Sequence, residues 1–253
     1  MKMKKLSLLI IAAIVLSANN ANAQDAKEII RKVDEKLRGK SSRGEFTMKI
    51  VRPSWTREMS LKMWSNGTEL SLVLVTAPAR DKGTATLKRK KEIWNWQPSI
   101  DRVIKLPPSM MMQSWMGSDF TNDDLVRESS IVNDYNQKIV GDTSIDGRAC
   151  WKIELLPLPN APVVWGKIYT WIDKKEYIQL RGENYDEDGQ LVNIMMASDI
   201  KNMGGKTLAS HMEMIPADKT KKGNKTIINY SVLVFDEAYP DDFFSEQNLK
   251  KIR

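Results

Sequence analysis

Cysteine and histidine are almost absent from this chain: Cys150 and His211 stand alone in 253 residues. One cysteine leaves no disulfide framework and too few thiolates for a zinc site. One histidine excludes the usual multi-histidine metal centres and leaves little side-chain acid–base chemistry near neutral pH. No apolar run reaches the roughly 20 residues that a helix needs to cross a bilayer. Glycine-rich phosphate loops, serine nucleophile elbows and zinc-ligand spacings are missing too. With hydrophobic residues at 42% and charged residues at 28%, the composition is that of a globular chain, neither disordered nor collagenous. These absences favour a binding protein over an enzyme, with no cofactor and no metal expected.

What is present begins with an export signal. Lys2, Lys4 and Lys5 form a basic start, residues 6–18 are apolar, and Ala21-Asn22-Ala23 has the small-x-small pattern of a cleavage site. The mature chain is expected to begin at Gln24 after cleavage behind Ala23, as a soluble protein of the periplasm. No cysteine follows the apolar stretch, so there is no acceptor for a lipoprotein's lipid. Loss of three lysines takes the formal charge from +7 to +4. That is too weak and dispersed for nucleic acid and suits mild attraction to anionic membrane surfaces.

The mature chain opens with an amphipathic helix. Ile29, Ile30, Val33 and Leu37 fall on one stripe, Asp25 and Glu28 suit its start, and Gly39 its end. Strands follow almost without interruption. Glu58-Met59-Ser60-Leu61-Lys62-Met63 alternates, Asn66-Gly67 signals a tight turn, and Leu70, Leu72 and Leu74 resume the alternation. Further strands are expected over 84–89, 92–97 and 101–106, then over 137–144, 148–157, 163–173, 177–185, 190–201, 206–215 and 225–236. Turns at Asp146-Gly147, Asp188-Gly189 and Gly204-Gly205 separate several of them. Some 11–13 short strands without intervening helices predict one antiparallel meander, which should curl on itself. A single domain over residues 24–253 follows.

Residues 107–136 break this pattern. After Pro107-Pro108, Met110, Met111, Met112, Trp115 and Met116 place five large, adaptable apolar groups within seven residues. Gly117 follows, and Thr121-Asn122-Asp123-Asp124 has the form of a capping box opening a short helix. The segment is expected to be a helical lid across the concave face of the curled sheet; an ordinary core plug is the alternative. With Phe120, Trp94 and Trp96, and with Met59, Leu61, Met63, Leu72, Leu74, Tyr230 and Val232 on alternating strand positions, it would line an apolar cavity.

Other motifs carry less. Asn184-x-Asp186-x-Asp188-Gly189 resembles half of a calcium loop, but Met195 stands where the bidentate glutamate belongs, so a turn is expected. Asp119, Asp123 and Asp124 form an acidic cluster that could supply paired carboxylates, but Asp123 and Asp124 suit a helix start and a structural role is expected; His211 is read as a solvated side chain and Cys150 as a small buried hydrophobe. Lys88-Arg89-Lys90-Lys91 reads as a basic hairpin tip, either simply solvated or touching an anionic partner.

One resemblance runs through the middle of the chain. Lys82-Gly83-Thr84, Ile93-Trp94-Asn95-Trp96-Gln97-Pro98-Ser99, Arg102-Val103, Met116-Gly117-Ser118-Asp119-Phe120 and Asp123-Asp124-Leu125 keep order and spacing over about 45 residues. Together they resemble the signature of the divergent branch of the LolA-like outer-membrane lipoprotein-sorting proteins. The closing Asp242-x-Phe244-Ser245-x-x-x-Leu249 is compatible with it. The resemblance implies an unclosed antiparallel β-barrel, a half-barrel with helices over its apolar concave face. It also implies a periplasmic carrier of lipid or of lipoprotein acyl chains, with an inner-membrane exporter or an outer-membrane acceptor as possible partners. A docking or sensor module of an envelope export complex is the second reading. A hydrolase has no constellation to support it.

Overall fold

The computed structural model describes residues 26–252 apart from 91, 123, 125–130 and 162. The expected export signal and its cleavage point at Ala23 and Gln24 lie outside the described residues, as do Asp123 and Leu125. Helix α1 (26–38) leads into thirteen strands. The first six are β1 (Ser41–Arg52), β2 (Trp55–Asn66), β3 (Leu70–Ala77), β4 (Ala85–Arg89), β5 (Glu92–Gln97) and β6 (Arg102–Lys105). After a crossover come β7 (Tyr135–Ile145), β8 (Arg148–Pro157), β9 (Lys167–Asp173), β10 (Gln179–Tyr185), β11 (Leu191–Met203), β12 (Lys206–Pro216) and β13 (Lys225–Phe235).

All thirteen form one antiparallel sheet in the order β6-β5-β4-β3-β2-β1-β13-β12-β11-β10-β9-β8-β7, and it does not close. The chain starts at the centre, steps outward to the β6 edge, crosses to the opposite edge at β7, and steps back until β13 meets β1. Turns and loops between sequence neighbours make every step but one. At β7–β8, for example, Asp146 and Gly147 both adopt positive φ, the geometry of a type I′ hairpin. Strand β1, which carries the join between the two halves, has no such turn on its sequence-distant side. Only the alternation of Phe46, Met48 and Ile50 marks it.

The crossover must travel from one sheet edge to the other, and the inner face is where it does so. Trp115 packs there against Phe46, Met48, Ile50, Met59, Leu61, Val75 and Ile228. Helix α1 covers the other half of the same face, with Ala26, Ile29 and Ile30 against Tyr135, Ile153, Leu155, Ile168 and Ile172. Strands β3 to β5 are buried on both faces, because the chain after β13 folds back over their outer side. There Phe244, Leu249 and Ile252 pack on Leu72, Leu74, Leu87, Trp94 and Trp96. Arg89 clamps this C-terminal segment, reaching the Asp241 carboxylate at 2.6 Å and the Phe244 carbonyl at 3.1 Å.

The basic tip is therefore largely consumed by structure. Lys88 is 3% exposed and donates to the Thr68 carbonyl at 2.7 Å, while Lys91 lies outside the described residues. Cys150 is buried as expected, and burial pushes its thiol pKa up. Asp186 accepts the amide of Gln190 at 2.8 Å, as a hairpin turn requires.

At the β9–β10 turn, Asp173 is nearly inaccessible. It accepts from Arg148 at 2.7 Å and from the amides of Lys175 and Glu176 at 2.7 and 2.9 Å. Burial opposes its charge, but these donors outweigh burial and hold its pKa below 3.8. Glu213, half-buried, is likewise held below 4.5: partial burial opposes its charge, but the bond to Lys225 at 2.8 Å outweighs it. A lowered folded-state pKa contributes stability above the ordinary carboxylate range and loses it as pH falls through the lowered value. The urea midpoint should accordingly drop between about pH 5 and pH 3. Asp173→Asn should flatten part of that slope, and an unchanged slope would show that this turn does not govern acid stability.

Candidate functional site

The cover over the inner face is built from single turns rather than an α-helix. Pro108–Met110 and Trp115–Gly117 are isolated 3-10 turns. Between and after them the chain doubles back: Ser114 bridges Thr121, the Trp115 amide donates to the Phe120 carbonyl at 2.8 Å, and the Asn122 amide to the Gln113 carbonyl at 2.9 Å. Positive φ at Met116 and Gly117 makes the reversal. A helix through 110–116 is incompatible with two successive left-handed residues. The capping box does form, with Thr121 and Asp124 exchanging backbone-to-side-chain hydrogen bonds at 2.7 and 3.1 Å.

Of the apolar groups in this segment, Trp115 is buried, and Met116 and Phe120 join its cluster from the margin. The Trp115 indole donates to the Thr86 hydroxyl at 3.3 Å, so even its polar edge is satisfied. Met110 and Met111 are half-buried outside that cluster, and Met112 is 51% exposed. The methionines thus sit on the rim, not in the cavity.

A polar latch fixes the cover to the sheet. Asp119 lies 3.0 Å from Arg52, accepts the Thr226 hydroxyl at 2.7 Å, and returns its own amide to that hydroxyl at 2.9 Å. Arg52 also donates to the Gly117 carbonyl at 3.1 Å. The side chains of Arg52 and Asp119 are 14% and 8% exposed, and Thr226 is fully buried. Asp119 is thus a fastener between the crossover and the β1–β13 join, a structural role of the kind expected for the acidic cluster.

The remaining expected cavity residues divide between two faces. Met59, Leu61 and Met63 on β2 and Tyr230 on β13 face the cover. Leu72, Leu74, Trp94 and Trp96 face the other way, beneath the C-terminal segment. The register explains this: an irregularity between Ser60 and Leu61 places Leu61 opposite Val75 and Met63 opposite Val73, which puts the leucines of β3 outside. Val232 is 36% exposed, because a bulge opposite Glu45 and Phe46 switches β13 to the other phase and turns Leu233 inward instead.

The sequence reading missed the apolar space beside α1. One cavity of about 80 Å³ lies between α1 and the central strands, with Val33, Leu37, Met195, Met212, Tyr230 and Leu233 in its walls. A second, of about 190 Å³, lies between α1 and Ile131, Thr170 and Ile172. The helical stripe of Ile29, Ile30, Val33 and Leu37 was the available signal, and it pointed as readily to plain packing. His211 is on the outer face, its Nδ1 at 2.6 Å from the Asn229 amide oxygen and Glu213 at 3.5 Å.

A protein-family model described as "Uncharacterized protein" matches residues 67–251. The chain belongs to that family. Among solved structures, a DUF1329 family protein from Desulfovibrio piger is 23% identical with a TM-score of 0.81, over 90% of this chain and 99% of that one. A putative outer membrane lipoprotein-sorting protein domain from Vibrio parahaemolyticus is 22% identical with a TM-score of 0.79, over 90% and 100%. A LolA superfamily protein from Nitrosomonas europaea is 23% identical with a TM-score of 0.74, over 88% and 98%. At these identities the likeness is one of fold, and the fold is LolA-like. No curated protein matches the chain.

Proposed function

We propose that this LolA-like protein is a periplasmic carrier that holds the acyl chains of a lipid or lipoprotein against the inner face of its sheet. The supporting observation is how that face is covered. A second sheet would close it for good; here α1 and a doubled-back crossover lie over it, the latter tied down by one buried polar latch. Opening the crossover gives up the full burial of Trp115 and the partial burial of Met116 and Phe120, about 3–6 kcal/mol if a full side chain counts 1.5–3 and a half-buried one half of that. An acyl chain regains about 0.8 kcal/mol per methylene, or roughly 10 kcal/mol over a dozen. Cover and cargo thus compete for the same surface, and the cargo's larger gain is offset in part by the cost of ordering its chain. The small cavities beside α1 are the unfilled remainder of that surface when the cover is down.

No chemistry beyond binding is assigned. The carboxylate of the latch, Asp119, is spent on Arg52 and Thr226. Export through residues 1–23 and movement of cargo toward the outer membrane complete the reading.

A fluorescent fatty acid tests it. The wild-type protein should take up the probe, and lipids extracted from protein purified out of its native envelope should include acyl chains. Met212→Glu, which sets a carboxylate in the wall of the α1 cavity, should weaken uptake by tenfold or more, since an unpaired buried charge costs several kcal/mol. Protein that purifies empty and ignores the probe would instead be a docking or sensor module.

A further inference from the structure

One end of the sheet carries a second feature that the inner face does not explain. The β1–β2 turn and the β12–β13 loop meet there, with Pro53 at 3.7 Å from the Cβ position of Gly223. The β12–β13 loop presents Lys219, Lys221 and Lys222, all exposed, and none is in an ion pair among the described residues. The acid of that loop, Asp218, is turned back onto Thr220, whose amide and hydroxyl it accepts at 2.8 and 2.7 Å. The next lysine, Lys225, is engaged by Glu213. From the β1–β2 turn projects Trp55, 50% exposed, its ring 5.8 Å from the Arg52 guanidinium. The same Arg52 holds the latch, and it shares with Met112, Phe120 and Lys221 the walls of a hollow of about 450 Å³ beside the crossover. Lys221 and the exposed Met112 thus line the hollow next to the latch, with Lys219, Lys222 and the Trp55 indole exposed on the adjoining loops, and Asp218 offsets part of the charge of Lys221.

We propose that this lip docks on the surface of an anionic bilayer. Lysines on flexible stems suit lipid phosphates, and tryptophan is the residue that favours the boundary between headgroups and acyl chains. Charge complementarity is what selects the occupant: the cations are clustered and unpaired, while the apolar groups are too few to bury a protein partner. Docking in this pose sets the hollow beside the crossover and the Arg52–Asp119 latch against the headgroup layer. Its use for loading rests on the carrier reading; docking itself does not.

Flotation with vesicles of phosphatidylethanolamine and phosphatidylglycerol tests the proposal against vesicles of phosphatidylcholine alone. The wild-type protein should float with the anionic vesicles at low salt and be released as salt rises, because screening weakens exposed charges. Lys219→Ser, Lys221→Ser and Lys222→Ser together should weaken binding roughly 100-fold, about fivefold for each cation. Trp55→Ala should weaken it further and abolish the quenching of tryptophan emission by brominated lipid. Equal binding to phosphatidylcholine, no binding at all, or a triple variant that floats like wild type would each overturn the proposal. Fatty-acid uptake measured without vesicles separates the two readings: wild-type protein that floats but takes up no probe retires the carrier and leaves docking intact.

Discussion

Asp119→Ala should release the crossover from the sheet while the rest of the chain stays folded. The substitution removes the carboxylate partner of Arg52, whose side chain is 14% exposed and keeps only carbonyl acceptors, and leaves the Thr226 hydroxyl without its acceptor. Breaking a buried pair from one side costs about 3–5 kcal/mol. The expense falls on the cover, because β1 and β13 are held to each other by ladder bonds the mutation does not touch. Hydrogen exchange at the amides of Trp115, Ser118, Phe120 and Asn122 should accelerate by roughly 100-fold or more, with little change in the sheet. Under the carrier reading the fatty-acid probe should also associate faster. Arg52→Ala should behave similarly, and the double variant should cost little more than either single one, since the two groups act as a unit. Unchanged protection around Trp115 would show that apolar packing alone holds the cover.

Removing residues 240–253 should do the reverse, destroying the fold without touching the inner face. Phe244, Leu249 and Ile252 would leave the outer cluster, and Leu72, Leu74, Trp94 and Trp96 would meet water. Three large apolar groups represent about 5–9 kcal/mol, set against total stabilities of about 5–15 kcal/mol. The truncated chain is expected to aggregate or to unfold at low urea. The milder Leu249→Ala should cost about 2–5 kcal/mol. Its folded fraction should bind the fatty-acid probe as wild type does, because none of the four outer-face residues lines the inner surface. A variant that kept its stability but lost the probe would mean that the C-terminal segment covers the binding face after all.

Much of the architecture was legible residue by residue. Asp146-Gly147 marked its hairpin through the positive φ that a type I′ turn requires, and the alternation around Met59, Leu61 and Met63 identified a half-buried strand. The segment at 107–136 stood out because no strand or turn chemistry accounts for so many large apolar groups. Its place over the inner face followed, with Trp115 packed there, as both the lid and the core-plug readings require. Its helical form did not, since left-handed backbone at Met116 lacks a glycine at that position to announce it.

The sequence alone determined the fold class, a strand count of about 11–13 without β1 (Ser41–Arg52) among the named ranges, and the presence of a non-sheet segment with apolar side chains. These depend on local periodicity and turn chemistry, which act over a few residues. Tertiary structure alone decided which face each apolar row serves. Leu72 and Trp96 alternate as well as Leu61 does, and only the return of the C-terminal segment over strands β3 to β5 makes theirs the outer face. Val232 differs from Tyr230 through one bulge, set by pairing with a strand far away in sequence. The latch arises in the same way: Arg52, Asp119 and Thr226 meet because β13 closes beside β1 and the crossover passes over their junction. Two-residue periodicity says that a strand has two faces, but what lies on each is a long-range contact that no local pattern encodes.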